Sequence, residues 1–219
     1  NHAFAEGAED LTRIFNLEFG DLFAVTAQDV QLEISCAPGV RPIRVLGREA
    51  LVSGQKITAR LGHLAGVQER FLLVEVELPR LPSKGAHPVA STSVSYRAKG
   101  GSHGKASGKV HVRTSSDPKA IESAVTKPVM VSVTEMLVAE QNKVAIRLRD
   151  EGRKKEAKKV MQRNVEMLQK RAKKYKSKRL RQQAPKAKRT LIDFESVDRN
   201  RTRKRLRKST YGSTNQQSY

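Results

Sequence analysis

The chain has 219 residues with 43 Lys and Arg against 22 Asp and Glu, a net charge of +21. Its length can bury one sizeable core or two small ones, but with 37% apolar residues, 5% aromatics and no Trp, part of it should be solvated extension. No apolar run approaches the roughly 20 residues that a membrane-crossing helix needs, and the one cysteine, Cys36, excludes an internal disulfide and any Cys-cluster zinc site.

The sequence opens on Asn1, and no basic-then-apolar leader follows it, so it reads as a fragment or processed product. His2–Ala5 fits the tail of a short strand. Over residues 8–23, Leu11, Ile14, Phe15, Leu17 and Leu22 recur at spacings of three, four and seven, the stripe of an amphipathic helix. Glu9 and Asp10 suit the positive end of its dipole. A strand tip and one helix cannot make a domain, so Leu17 and Phe19 are expected to be partly exposed.

From Asp29 the period changes to two. Val30, Leu32, Ile34 and Cys36 alternate with Gln31, Glu33 and Ser35, a strand with one buried face. Val40–Leu46, Lys56–Leu61, Phe71–Leu78, Val89–Arg97 and Lys109–Thr114 repeat the pattern, separated by Pro38-Gly39, Ser53-Gly54 and a Gly-rich hairpin loop, Lys99–Gly108. Six short strands at this spacing, with no intervening helical pattern, predict an antiparallel β-sandwich over 24–117. Cys36 continues its strand's buried alternation and is read as a small core residue.

After Asp117-Pro118 the pattern is helical. Val133, Leu137, Val144 and Leu148 form one stripe beside Met130 and Met136; Ala157, Val160, Met161, Val165, Leu168 and Ala172 form another. Asp150-Glu151-Gly152 between them stops one helix before the next starts, which predicts an αα-hairpin. A third helix is expected over about 176–183, ending at Pro185, and a fourth over Asp193–Leu206. Residues 209–219 are polar and expected to be disordered.

Charge divides along the same line. Residues 1–118 hold 14 basic and 12 acidic side chains; residues 119–219 hold 29 and 10. Lys170–Arg181 has eight cations in twelve residues and Arg199–Lys208 seven in ten. Cations this dense repel one another and attract polyanions, with an affinity that falls steeply as salt rises. The candidate contacts are Lys170, Arg171, Lys173, Lys174, Lys178, Arg179, Arg181, Arg203, Lys204 and Arg205. Only Tyr175, Phe194 and Tyr211 offer aromatic platforms, too few for base-reading of a single strand, and any nucleic-acid binding should be non-specific. The bland reading, a solvated helical extension facing a protein partner, is preferred. An anionic membrane surface is a third reading, and the apolar face of 176–206 is thin for it.

Nothing suggests catalysis. Lys99–Ala106 looks like a phosphate loop, but it lacks the first Gly and the hydroxyl after Lys105, and it joins strands where that motif must open a helix. His2, His63, His87, His103 and His111 are never three or four residues from one another or from Cys36, so no local metal pair exists. Glu33, Glu75 and Glu77 fall on outward strand positions, and no Gly-x-Ser-x-Gly elbow marks a nucleophile. No catalytic residue, metal ligand or cofactor is expected in this chain, the oligomeric state is open, and the cytoplasm is the favoured compartment.

Asn1–Ala5, Ala8–Leu11 and Ile14–Leu22 resemble the last strand and last helix of bacterial von Willebrand factor type A (VWA) domains. These are the stand-alone kind related to calcium-activated chloride channel and inter-α-trypsin-inhibitor heavy-chain proteins. The order that follows is similar to the same family: Ala24–Ile34, Pro38-Gly39-Val40-Arg41-Pro42, Arg44–Arg48, then a sandwich and a helical region that closes on Arg203-Lys204-Arg205-Leu206-Arg207 and Tyr211. The resemblance implies four parts: 1–23, the end of a VWA domain; 24–117, the sandwich; 118–208, the basic helices; and 209–219, a tail. It further implies a non-enzymatic, protein-binding role. VWA domains hold Mg²⁺ on an Asp-x-Ser-x-Ser turn. No such turn occurs in this sequence, so the ligand site is expected upstream of Asn1, and no site residue carries over.

Overall fold

The computed structural model describes residues 25–66, 69–82, 85–196, 203, 204, 206, 207 and 210, the side chains of 194–196 excepted. The expected strand tip and helix within residues 1–23, with Leu17 and Phe19, lie outside the described residues. So do the tail at 211–219 and Arg205. The chain divides into two compact units, Asn1–Ala124 and Val125–Tyr219.

Among its described residues the first unit carries seven strands: β1 (Val25–Cys36), β2 (Arg41–Leu46), β3 (Leu51–Ser53), β4 (Lys56–Ala65), β5 (Leu73–Glu77), β6 (Ala86–Ala98) and β7 (His103–Arg113), then a short helix, α1 (Pro118–Ser123). Five form one sheet in the order β3-β4-β1-β6-β7, and β2 pairs with β5; all pairs are antiparallel. The period-two pattern of β1 works as alternation demands. Val30 and Cys36 are buried, with Leu32 and Ile34 between them, while Gln31 and Ser35 face out. Ile57 of β4, opposite Ile34, is fully buried beside Cys36, Val40 and Val89. Val45 of β2 and Val74 and Val76 of β5 pack on that same cluster, so both sheets contribute to one apolar core.

Two elements of this unit depart from the sequence pattern. Strand β3 is too short for any periodicity to show. The Gly-rich segment 99–108 is not a loop along its length. Ala98 N–H donates to Ser102 O at 2.8 Å and Gly101 N–H to Ala98 O at 3.0 Å, which closes a turn over 99–102. His103–Gly108 is then strand, in register with Thr92–Arg97. Glycine is used here for space: Gly104 lies opposite Tyr96, and a Cβ at 104 would run into the Tyr96 ring.

The second unit is helical: α2 (Lys127–Asp150), α3 (Lys154–Lys174) and α4 (Lys178–Ser196), with Arg203, Lys204, Leu206, Arg207 and Thr210 also helical. Gly152, at φ +82, ends α2. Its N–H reaches Arg149 O at 3.0 Å and Arg153 N–H reaches Leu148 O at 2.8 Å, the paired bonds that satisfy a helix's last carbonyls. The chain reverses there. Val138 therefore meets Leu168, Asn142 meets Asn164, and Ala145 and Leu148 meet Ala157 and Met161.

The α2 seam is displaced from the expected stripe. Leu148 and Met136 are buried as expected, but Val131, Thr134, Glu135, Val138, Asn142 and Ala145 are buried as well, while Val133, Leu137 and Val144 are only half-buried. Helix α4 also runs through Pro185, where the sequence suggested a stop. An interior proline costs about 3 kcal/mol. Here the apolar row Leu180, Ala184, Ala187 and Leu191 continues on both sides of it, against α2 and α3, and Pro185 itself faces solvent.

Candidate functional site

The cations of the helical unit gather at the turn from α3 to α4. Helix α3 ends on Tyr175, and Lys176 stands at φ +52, the left-handed conformation that glycine adopts without cost. Ser177 N–H donates to Ala172 O at 3.1 Å, and Ser177 Oγ accepts from Leu180 N–H at 3.2 Å, so one residue closes α3 and caps α4. Tyr175 is taken up by the core beside Leu168, Ala172 and Leu180 and presents no aromatic platform there.

Nine of the ten candidate residues are described. Lys170, Lys173, Lys178 and Arg181 are exposed, and their side chains make no hydrogen bond or ion pair among the described residues. Lys174 and Lys204 are exposed and each has an interaction of its own. Arg171, Arg179 and Arg203 serve the fold. Arg171 Nη1 donates to Thr134 Oγ1 at 3.2 Å. Arg179 grips the carboxylate of Glu135 with two donors, one of them Nε at 2.7 Å, and Gln183 adds a third donor at 2.5 Å. Glu135 is 3% exposed and its charge is balanced inside the seam by this fork. Arg203 Nη2 lies 3.4 Å from Asp150 Oδ2.

Sequence reading missed cations that share the exposed surface. Lys155, Lys159 and Arg163 follow one another at four-residue spacing on α3, and Lys186, Lys188 and Arg189 are exposed on α4. For Lys155, Lys159 and Arg163 the i, i+4 spacing is the signal that would have found them. Cations in the last turn of α3 suit its negative dipole end, whereas Lys178 and Arg179 oppose the positive end of α4. A bound anion would relieve that opposition.

At the opposite end of α3, Arg153 donates to Glu156 through Nε at 2.8 Å and Nη2 at 2.7 Å, and to Glu151 through Nη1 at 3.2 Å. This fork holds the Glu156 carboxyl below the ordinary carboxylate range and raises the Arg153 guanidinium further.

In the sheet unit the strand carboxylates have structural partners: Lys56 Nζ is 2.8 Å from Glu33, Arg44 Nε is 2.6 Å from Glu75, and Arg41 pairs with Glu77. Cys36 is buried, which pushes its thiol up. Among the described residues no group of three or more His, Cys, Asp or Glu could hold a metal ion. No described helix is long and apolar enough to cross a membrane.

No family model matches the chain, and no curated protein matches its sequence. Solved structures do. The von Willebrand factor type A protein from Catenulispora acidiphila superposes with a TM-score of 0.64 at 11% identity, over 95% of this chain and 51% of that one. The ArnB paralog VWA2 from Sulfolobus acidocaldarius gives 0.43 at 12% identity, over 87% and 42%. The chain thus spans about half the length of the structures it matches. At such identity the likeness is one of fold: a mixed architecture, antiparallel sheet followed by helices, similar to that found in a VWA protein.

Proposed function

We propose that the chain is a non-enzymatic protein-interaction module, the C-terminal region of a VWA protein in which a β-sandwich and a helical region accompany a metal-dependent ligand site lying upstream. The observation that carries this reading is the fold likeness to the Catenulispora acidiphila protein over 95% of the chain. The order of segments after residue 8, which resembles the same family, supports it. The test is the coding frame ahead of Asn1. An Asp-x-Ser-x-Ser turn within about 150–200 residues, the span of one ordinary domain, is expected there. A frame with no such turn sinks the proposal.

A second reading, binding of a polyanion by the basic helices, is favoured by the unengaged cations Lys170, Lys173, Lys178 and Arg181 around one turn. Reversing all four to Glu should weaken binding of a labelled oligonucleotide and lower the salt slope by about one unit for each lost phosphate contact. Binding that vanishes in wild type by about 150 mM salt would reduce this reading to charge alone.

A further inference from the structure

Strand β7 ends the five-stranded sheet, and among the described residues it is paired on one side only, with β6. It is eleven residues long, and such an edge offers a row of unpaired backbone N–H and C=O groups. Its two faces differ sharply. His103, Lys105, Ser107, Lys109, His111 and Arg113 alternate on one face, all exposed. Lys105, Lys109 and Arg113 have no ion pair or side-chain hydrogen bond among the described residues. Gly104, Ala106, Gly108, Val110 and Val112 occupy the other face. Val110 is 47% exposed, while Val112 already packs on the cluster around Cys36 and Val89.

The sheet behind the cation row repeats its polarity. Lys109 lies across from Ser91, Ser35 and Lys56 in turn, and Lys105 from Ser95, Gln31 and Arg60. The only acid in those rows or between them is Glu33, which Lys56 occupies.

We propose that β7 is a docking edge for an extended acidic segment of a partner protein, which adds to the sheet as a further strand. Only a polypeptide can satisfy a free ladder of backbone groups. Alternate residues of a strand recur at about 6.8 Å, so a partner with Asp or Glu at every second position sets every other acid over Lys105, Lys109 and Arg113 and the rest over His103, Ser107 and His111. Its intervening residues, if apolar, cover Ala106 and Val110 and extend the core that Val112 begins. A second copy of β7 fits poorly, because in any register it brings three more cations and no acid to the same face. Bases of a single-stranded nucleic acid find no Phe, Tyr or Trp on this face, only the imidazoles of His103 and His111, since Tyr96 lies on the other. The edge belongs to the sheet unit, and this inference does not rest on the basic helices of the other.

The test uses the full chain and a labelled eleven-residue peptide that alternates Glu with Val and Thr. A second peptide has the same composition with its glutamates contiguous. At about 150 mM salt, the alternating peptide should bind about tenfold more tightly, and Lys105→Glu/Lys109→Glu should remove that margin. Amides of 103–113 should gain protection from hydrogen exchange on binding. Lys170→Glu/Lys173→Glu, in the helical unit, should leave the margin intact. Should the reversal variant misfold, Lys105→Gln/Lys109→Gln should still narrow the margin. Equal binding of both peptides, binding without protection of β7, or loss only in the helical variant would each overturn the proposal. So would an oligonucleotide or a phosphatidylglycerol vesicle that competes at β7 in preference to the peptide, or a dimer formed through β7.

Discussion

The sheet unit and the helical unit solve the same problem of burial differently. In the sheet unit the interior is apolar around Ile57, Val30 and Val40, and ion pairs such as Arg41–Glu77 and Arg44–Glu75 stay at the surface. In the helical unit the seam itself is polar at intervals. Glu135 is buried against Arg179, Thr134 donates to Met130 O at 2.6 Å, and Asn164 Nδ2 donates to Asn142 Oδ1 at 3.0 Å. Apolar contact alone would let antiparallel helices slide. A paired Asn and a forked carboxylate fix which turn faces which, at a cost in stability. The helical unit gives up some apolar burial for a defined register, and the sheet takes its register from the ladder itself.

The sharpest test of that contrast is Ile57→Ala. It removes a fully buried side chain from the shared core of the two sheets and should cost about 4 kcal/mol in denaturant unfolding. Arg179→Met removes the guanidinium fork from buried Glu135 and leaves it only Gln183, and should cost about 3 kcal/mol. Adding Glu135→Leu to it should recover that loss. A double variant no more stable than the single would mean that the fork does not balance a buried charge. Lys176→Gly, which frees a left-handed position from its Cβ, should raise stability by about 1 kcal/mol.

The smallest effect is the Arg153 fork. Because the folded Glu156 carboxyl titrates below its ordinary value, its contribution is complete above the unfolded value of about 4.3. It is lost as pH falls through the lower folded value. A carboxyl titration by NMR with its midpoint in the ordinary glutamate range would contradict this.

How much of this was legible follows from the same contrast. Strand β1 was readable because nothing polar interrupts Val30, Leu32, Ile34 and Cys36. The α2 seam was misplaced because its inward positions include Thr134, Glu135 and Asn142, which a hydrophobic stripe passes over in favour of Val133, Leu137 and Val144. Pro185 suggested a helix end because local cost was visible and the packing of Leu180, Ala184 and Leu191 was not. Half of β7 was taken for loop because Gly104 and Gly108 look like turn residues until Tyr96 is placed opposite the first. For the candidate site, charge density marks a stretch and no more. It could not separate Lys170 and Arg181, which face water unengaged, from Arg171 and Arg179, whose partners lie 37 and 44 residues away.

Cys36 gives the molecule an internal clock with a single address. It is the one cysteine, it sits in the sheet core, and its thiol is held protonated by burial. Alkylation by a small reagent therefore ticks only when the strands open. The opening of the sheet unit can therefore be timed through its native thiol, with no residue introduced for the purpose.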